Sequence, residues 1–231
     1  MNEPAAASTG LGPKGIVTTI EPDRYERVVV RRSAETRATV PSVEFATEVD
    51  MERTLVTEAE LGCGLTALVV RAAAHALRAV PRVNGAYRDG HYELYSRVNV
   101  GVTIAEAGLY AIPTVFDADE KSAIEIAAEV ADHRTRALDG ELVPADLTGA
   151  TFTVIDSGQY DVVTVTPLII APQAAALAAG PVRETPIVRD GAVTAGHTMV
   201  ATLASDHRIV YGDYASSFLA EFKAHLEEGI A

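Results

Sequence analysis

Apolar residues recur at helical spacing over residues 66–80. Leu65, Leu68, Val69, Ala72, Ala73, Ala76, Leu77 and Val80 fall on one stripe, with Arg71, His75 and Arg78 on the other face. That period predicts an amphipathic helix, which Pro81 ends because proline has no N–H to extend the hydrogen-bond ladder. Over 41–50 the apolar positions Val43, Phe45 and Val49 alternate instead, as in a half-buried strand. Residues 84–116 read as β structure. GAYR and HYELY flank Asp89-Gly90, a hairpin-turn dipeptide, and SRVNVGVTI and LYAIPTVF follow. The charged stretch 21–37 predicts one helix. Residues 120–138 predict another, with Ile124, Ala127, Ala131, Arg134 and Leu138 in rough register. The last third returns to strands over ATFTVI, VVTVTPLII, AAALAAGPVRE and HTMVATLAS. A terminal helix over 212–228 then carries Tyr214, Phe218, Phe222 and Leu226 four residues apart. Residues 1–14 are small and polar and are expected to form a flexible tail ahead of a single domain, 15–231. Strands and helices that mix without regular βαβ alternation predict an α+β sandwich-like domain.

Length and composition narrow the function classes. A chain of 231 residues, 48% hydrophobic and 22% charged, buries a full core. Acidic residues outnumber basic ones 32 to 19, for a formal charge of −13. That argues against nucleic-acid binding, which needs a basic face to displace phosphate counterions, but leaves room for a local basic pocket. The single cysteine, Cys63, excludes an internal disulfide and a cysteine-based zinc site, so no metal is expected and a reducing cytoplasm is the natural setting. Nothing beside Cys63 in sequence would depress its pKa, so it reads as inert. No apolar run reaches the ~18 residues of a membrane span, and the first residues lack a signal peptide's pattern.

Histidines are the candidates for acid–base work at neutral pH. His75, His91, His133, His197 and His225 read as surface or boundary residues. His207 differs: it follows a strand predicted to be buried and precedes a helix, and such a junction places a side chain at a rim that a substrate can reach. Strand alternation points its neighbours Asp206 and Arg208 away from it, where they would bind each other or nearby backbone and support the site.

The segment SDHRIVYG resembles the D-H-R-x-x-D-G signature of the catalytic domain of 2-oxo acid dehydrogenase dihydrolipoamide acyltransferases, a family that shares the chloramphenicol acetyltransferase fold. PSVEFATEVDM, LTALVVRAAAHALRAVPRVNGAY, VNVGVTI with AIPTVFDADEKS, and GATFTVIDSGQYD running to PQAAALAAG resemble further family segments in the same order, from about residue 20 onward. The resemblance implies a two-layer sandwich with helices packed on a mixed sheet. It also implies a homotrimer whose active sites lie between subunits. In this family the histidine is the general base, here His207. It takes the acceptor's proton as the acceptor attacks the thioester of acyl-CoA, in direct transfer without an acyl-enzyme. Acetyl-CoA is then a substrate rather than a bound prosthetic group, and Lys121 and Ser122 are candidates to contact it.

Two positions depart from the family pattern. Tyr211 stands four residues after the histidine, where the family has Asp or Asn. Ile155, 52 residues before it, stands where the family has the serine that donates to the oxyanion. Losing such a donor costs about 2.7–4 kcal/mol of transition-state stabilisation. Ser157, Thr153, Thr166 or Tyr211 are the candidate replacements, Tyr211 and Ser157 foremost, and Tyr211 reads equally as a packing residue at a helix start. Three functions follow. The first is an O-acetyltransferase that acts on a small-molecule hydroxyl, such as a tetronate polyketide intermediate, with a carrier-protein or pathway-enzyme contact. The second is the dihydrolipoamide acyltransferase core of a dehydrogenase complex. The third is a non-catalytic scaffold of the same fold.

Overall fold

The protein is described by a computed structural model covering residues 8–22, 24–106 and 108–229. It opens with a hairpin of β1 (Ser8–Gly12) and β2 (Gly15–Thr19), then α1 (Arg24–Thr39) and β3 (Ser42–Asp50). Helices α2 (Glu52–Leu61) and α3 (Leu65–Ala79) lead to the hairpin β4 (Gly85–Arg88) and β5 (His91–Leu94). Short strands β6 (Val100–Val102), β7 (Ile104–Glu106), β8 (Leu109–Ala111) and β9 (Thr114–Val115) follow, then a 3-10 turn at Ala118–Glu120 and α4 (Ala123–Leu138). The chain continues through β10 (Phe152–Asp156), β11 (Ala175–Ala179), β12 (Arg183–Arg189) and β13 (Ala192–Asp206), and α5 (Gly212–Glu228) follows.

The main sheet runs β12-β13-β11-β10-β6-β9, with β3 on the other edge of β13. β10 is parallel to β6 and β11, whereas β13 is antiparallel to β3, β11 and β12. The architecture is thus a mixed sheet with helices packed on it. Both faces are covered. Leu203 packs in the main core with Leu77 of α3 and Phe218 and Phe222 of α5, while its neighbour Ala204 packs on the opposite face against Val40 and Ile169. Coverage on both sides explains the AALAA composition of β11, all of it buried. Phe152 of β10 meets Phe218 at a centroid distance of 5.4 Å. Each of these fully buried rings contributes about 2–3 kcal/mol of burial free energy.

The strand over 41–50, the central helix, the Asp89-Gly90 hairpin and the terminal helix over 212–228 stand where the sequence places them. At the hairpin, Asp89 and Gly90 take φ of 50° and 81°, as a type I′ turn requires. Four expectations need correction. Ser8–Gly12 is not a tail but pairs with Gly15–Thr19, while residues 1–7 lie outside the described residues. VVTVTPLII forms no strand. Both edges of β11 are already taken by β10 and β13, so this segment crosses the sheet as irregular chain. Its Ile169 carbonyl accepts instead from the Thr36 hydroxyl at 2.8 Å. The buried stripe of α4 is Ala123, Ile126, His133 and Ala137, and Ile124, expected inside, is 56% exposed. Finally, α2 was not anticipated. Its short pattern lacks a side-chain N-cap, and Gly62 closes it in the left-handed conformation.

Candidate active site

His207 is exposed between two buried anchors. β13 ends at the buried Asp206, and the fully buried Ile209 and Val210 follow before Tyr211 caps α5. The His207 amide donates to the Pro41 carbonyl at 3.0 Å, and the Ile209 and Val210 amides donate to the Asp206 carbonyl at 3.0 and 2.9 Å. A short hydrogen-bonded turn therefore lifts the imidazole to the rim, as the strand–helix junction predicts.

Asp206 and Arg208 support this turn. Arg208 Nε donates to Asp206 Oδ1 at 2.9 Å and Nη2 to Oδ2 at 2.7 Å, while the Arg208 amide donates to Oδ1 at 3.0 Å. The carboxylate is 3% exposed and the guanidinium 33%. The fork geometry ties the residues on either side of His207 together, and its charge-assisted bonds hold the guanidinium pKa above its usual value. Arg208 also lies 4.7 Å over the Tyr87 ring. A cavity of about 460 Å³ opens behind the turn, lined by Tyr87, Gln173, Asp206 and Arg208 among others.

Tyr211 sits beside His207, with ring centroids 5.6 Å apart at 83°, edge to face. Its hydroxyl donates to the Arg208 carbonyl at 3.3 Å and lies 3.2 Å from the Tyr92 hydroxyl. That hydroxyl contact, first among the causes, pushes the phenol pKa up, so Tyr211 is neutral across the working pH range. Tyr92, Tyr87 and Arg82 thus join the surroundings of the site. Sequence reading missed them; the signal was a hairpin rich in tyrosine, but only the fold brings it to the 207–211 turn.

Ser157 is not brought to His207. It is fully buried, and its hydroxyl donates to the Ala179 carbonyl at 2.8 Å. Ile155 is level with Ala178, which is level with Thr202 on β13. Five residues of strand, roughly 16 Å, therefore separate that register from His207. Within one chain Ser157 and His207 lie toward opposite ends of the sheet, and the Ser157 hydroxyl is committed to the Ala179 carbonyl. Thr153 is likewise buried, its hydroxyl donating to Gln173 Oε1 at 2.8 Å. Beside the Ile155 register a second cavity of about 620 Å³ opens at the carboxyl ends of the parallel strands β6, β10 and β11, where open sheets commonly bind ligands. Cys63, Thr66, Asp156 and Gly180 are in its wall, and partial burial raises the Cys63 pKa. Only the parallel pairing reveals this cavity.

Lys121 and Ser122 begin α4. Ser122 is its N-cap in a capping box with Glu125, and the Lys121 ammonium pairs with Glu129. Neither residue lines either cavity, and the helix start accounts for both without a ligand. Three other histidines are more enclosed than the sequence implies. His133 and His225 are buried, and His75 stacks on His225 at 4.5 Å between α3 and α5. Burial lowers the pKa of His75 and His133. Among the described residues no cluster of His, Cys, Asp or Glu is arranged to hold a metal ion, and no single helix is long and apolar enough to cross a membrane.

The profile of the 2-oxoacid dehydrogenases acyltransferase (catalytic domain) family matches residues 15–230. The chain belongs to this family. It is therefore an acyltransferase-family domain, and the turn bearing His207 is its candidate active site. It is 32% identical over 216 residues to the dihydrolipoyllysine-residue succinyltransferase component of the 2-oxoglutarate dehydrogenase complex of Bartonella vinsonii subsp. berkhoffii, covering 89% of this chain and 52% of that protein. It is 25% identical over 218 residues to the acetyltransferase component of the pyruvate dehydrogenase complex of Rickettsia prowazekii, covering 90% and 53%. The chain thus spans about half the length of the curated relatives it matches. A probable dihydrolipoamide acetyltransferase from Listeria monocytogenes superposes with a TM-score of 0.86 at 27% identity, covering 91% of this chain and 94% of that one. Chloramphenicol acetyltransferase shares the fold, with a TM-score of 0.55 at 14% identity, covering 84% and 92%. The acyltransferase family and the chloramphenicol acetyltransferase-like α+β fold both agree with the sequence reading.

Proposed function

We propose that this chain transfers a short acyl group between coenzyme A and the thiol of dihydrolipoamide, as the catalytic core of a 2-oxo acid dehydrogenase acyltransferase, with His207 as general base. The observation that carries this reading is an exposed imidazole held on a rigid turn by the Asp206–Arg208 pair, at the family's histidine position. His207 takes the acceptor's S–H proton as the sulfur attacks the acyl-CoA carbonyl. The tetrahedral oxyanion collapses, the C–S bond to coenzyme A breaks, and the proton passes to the departing thiolate. Acetyl-CoA enters as a substrate, with no metal in the scheme.

A homotrimer fits this chemistry. The ~16 Å between the Ile155 register and His207 leaves one chain with the two halves of a site apart, and a neighbouring copy can bring its own Ile155 end to His207. A second reading has specific support. Ile155 and Tyr211 stand where the resemblance places a serine and an Asp or Asn, so the acceptor side is altered. That favours a small-molecule hydroxyl, such as a tetronate-type polyketide intermediate, with a cytoplasmic setting and a pathway-enzyme contact.

The test is free-thiol release from acetyl-CoA with dihydrolipoamide and a hydroxymethyl-tetronate supplied in parallel, each against His207→Ala. Turnover with dihydrolipoamide that the substitution abolishes supports the first reading. Turnover with the tetronate alone moves the assignment to the second. Wild-type turnover by His207→Ala refutes general-base catalysis at this residue.

A further inference from the structure

We propose that Tyr92 is a positioning residue for acyl transfer, acting through Tyr211 to hold the His207 ring in its working orientation. The proposal rests on His207 being the general base. The backbone of His207 is pinned to Pro41, but its imidazole is exposed and makes no hydrogen bond among the described residues. A base without a bonded partner on its ring rotates freely about its side-chain torsions, whereas proton abstraction needs one ring nitrogen within hydrogen-bond reach of the acceptor. The edge-to-face Tyr211 ring limits that rotation.

Tyr211 is itself 40% exposed, so its own ring needs a brace. Two contacts supply one: the Tyr211 hydroxyl lies 3.3 Å from the Arg208 carbonyl and 3.2 Å from the Tyr92 hydroxyl, and either phenol can donate in the contact between them. Tyr92 belongs to the β4–β5 hairpin, which has its own anchor. The Arg82 guanidinium lies 3.8 Å over the Tyr92 ring, and its Nε donates to the Ile209 carbonyl at 2.9 Å. The contacts therefore close a loop from His207 through Tyr211, Tyr92 and Arg82 to Ile209, back in the turn that carries His207. The Arg82 guanidinium also covers Tyr214 at 5.4 Å, so it bridges two rings and the Ile209 carbonyl. Mobile loop tips gain precision when such a circuit fixes them.

The experiment is steady-state acyl transfer by Tyr92→Phe, Tyr211→Phe and the double variant, with His207→Ala alongside. Both single changes remove a hydroxyl and keep the ring. The expected result is a kcat about fivefold lower for each single variant, an unchanged KM for acetyl-CoA, and a double variant no worse than the weaker single, because both break one link. Losses that multiply in the double variant, or a loss carried by KM, would overturn the proposal. So would wild-type kcat in Tyr92→Phe while His207→Ala is dead, which leaves the general-base reading intact. Wild-type turnover by His207→Ala instead removes that reading and this one with it. Ring NMR of histidine-labelled protein reads the same link without an acceptor. Tyr92→Phe and Tyr211→Phe each shift the His207 signal and leave that of His197 in place, and an unmoved His207 signal in Tyr92→Phe overturns the proposal.

Discussion

Replacing Arg208 with alanine strips the Asp206 carboxylate of all its guanidinium bonds and leaves it the backbone amide at 3.0 Å. The carboxylate is 3% exposed with Arg208 in place, and water replaces only part of what is lost. Removing one partner of a buried ion pair costs about 3–5 kcal/mol, and the one-third exposure of the guanidinium puts this pair near the lower end. Lost stacking on Tyr87 adds about 0.5 kcal/mol, for a total of about 3.5 kcal/mol. Urea unfolding followed by circular dichroism at fixed protein concentration reads that loss, and the turn that presents His207 loosens with it, so kcat falls about tenfold or more. Adding Asp206→Asn removes the unpaired charge and restores about 1–2 kcal/mol. A loss below about 0.5 kcal/mol in Arg208→Ala, or a double variant no more stable than the single, would refute the argument that a buried charge pair holds this turn.

Burial lowers the folded-state pKa of His75 and His133, so the unfolded chain binds protons first, and stability falls as the pH drops below ~6.5. Thermal melts from pH 7.5 to 5 are expected to show this decline, and His75→Gln with His133→Gln to flatten it. Ser122→Ala removes the α4 N-cap and is expected to cost about 1 kcal/mol with no change in KM for acetyl-CoA. A raised KM with unchanged stability would return Ser122 to ligand binding. Gly180→Ala places a methyl 2.6 Å from the Val163 carbonyl and 3.0 Å from that of Val200, both backbone, so chain must move. The expected cost is about 2 kcal/mol by denaturant titration, and a neutral result would show that the 161–174 crossing segment yields easily.

What was legible in the sequence was local or carried by strong periodicity. The α3 stripe, the Asp89-Gly90 turn and the fourfold spacing on α5 each concern residues within a few positions of one another, and each stands as read. His207 was found for the same reason: a buried strand, a short turn and a helix start are neighbours in the chain. The Asp206–Arg208 pair needed only strand alternation. The face of α4 did not follow from pattern, because a buried histidine occupies part of its inner stripe. VVTVTPLII carried strand propensity yet had no free edge to pair with. Tertiary structure alone decided that Ile155 and Ser157 lie far from His207, since the register of β10 on β11 and of β11 on β13 sets that distance. It also decided that a hairpin more than a hundred residues upstream brings Tyr92 to Tyr211. Sequence determines periodicity and adjacency; which distant residues share a site is set by strand register and by which faces remain to be covered, and these exist only once the chain has packed.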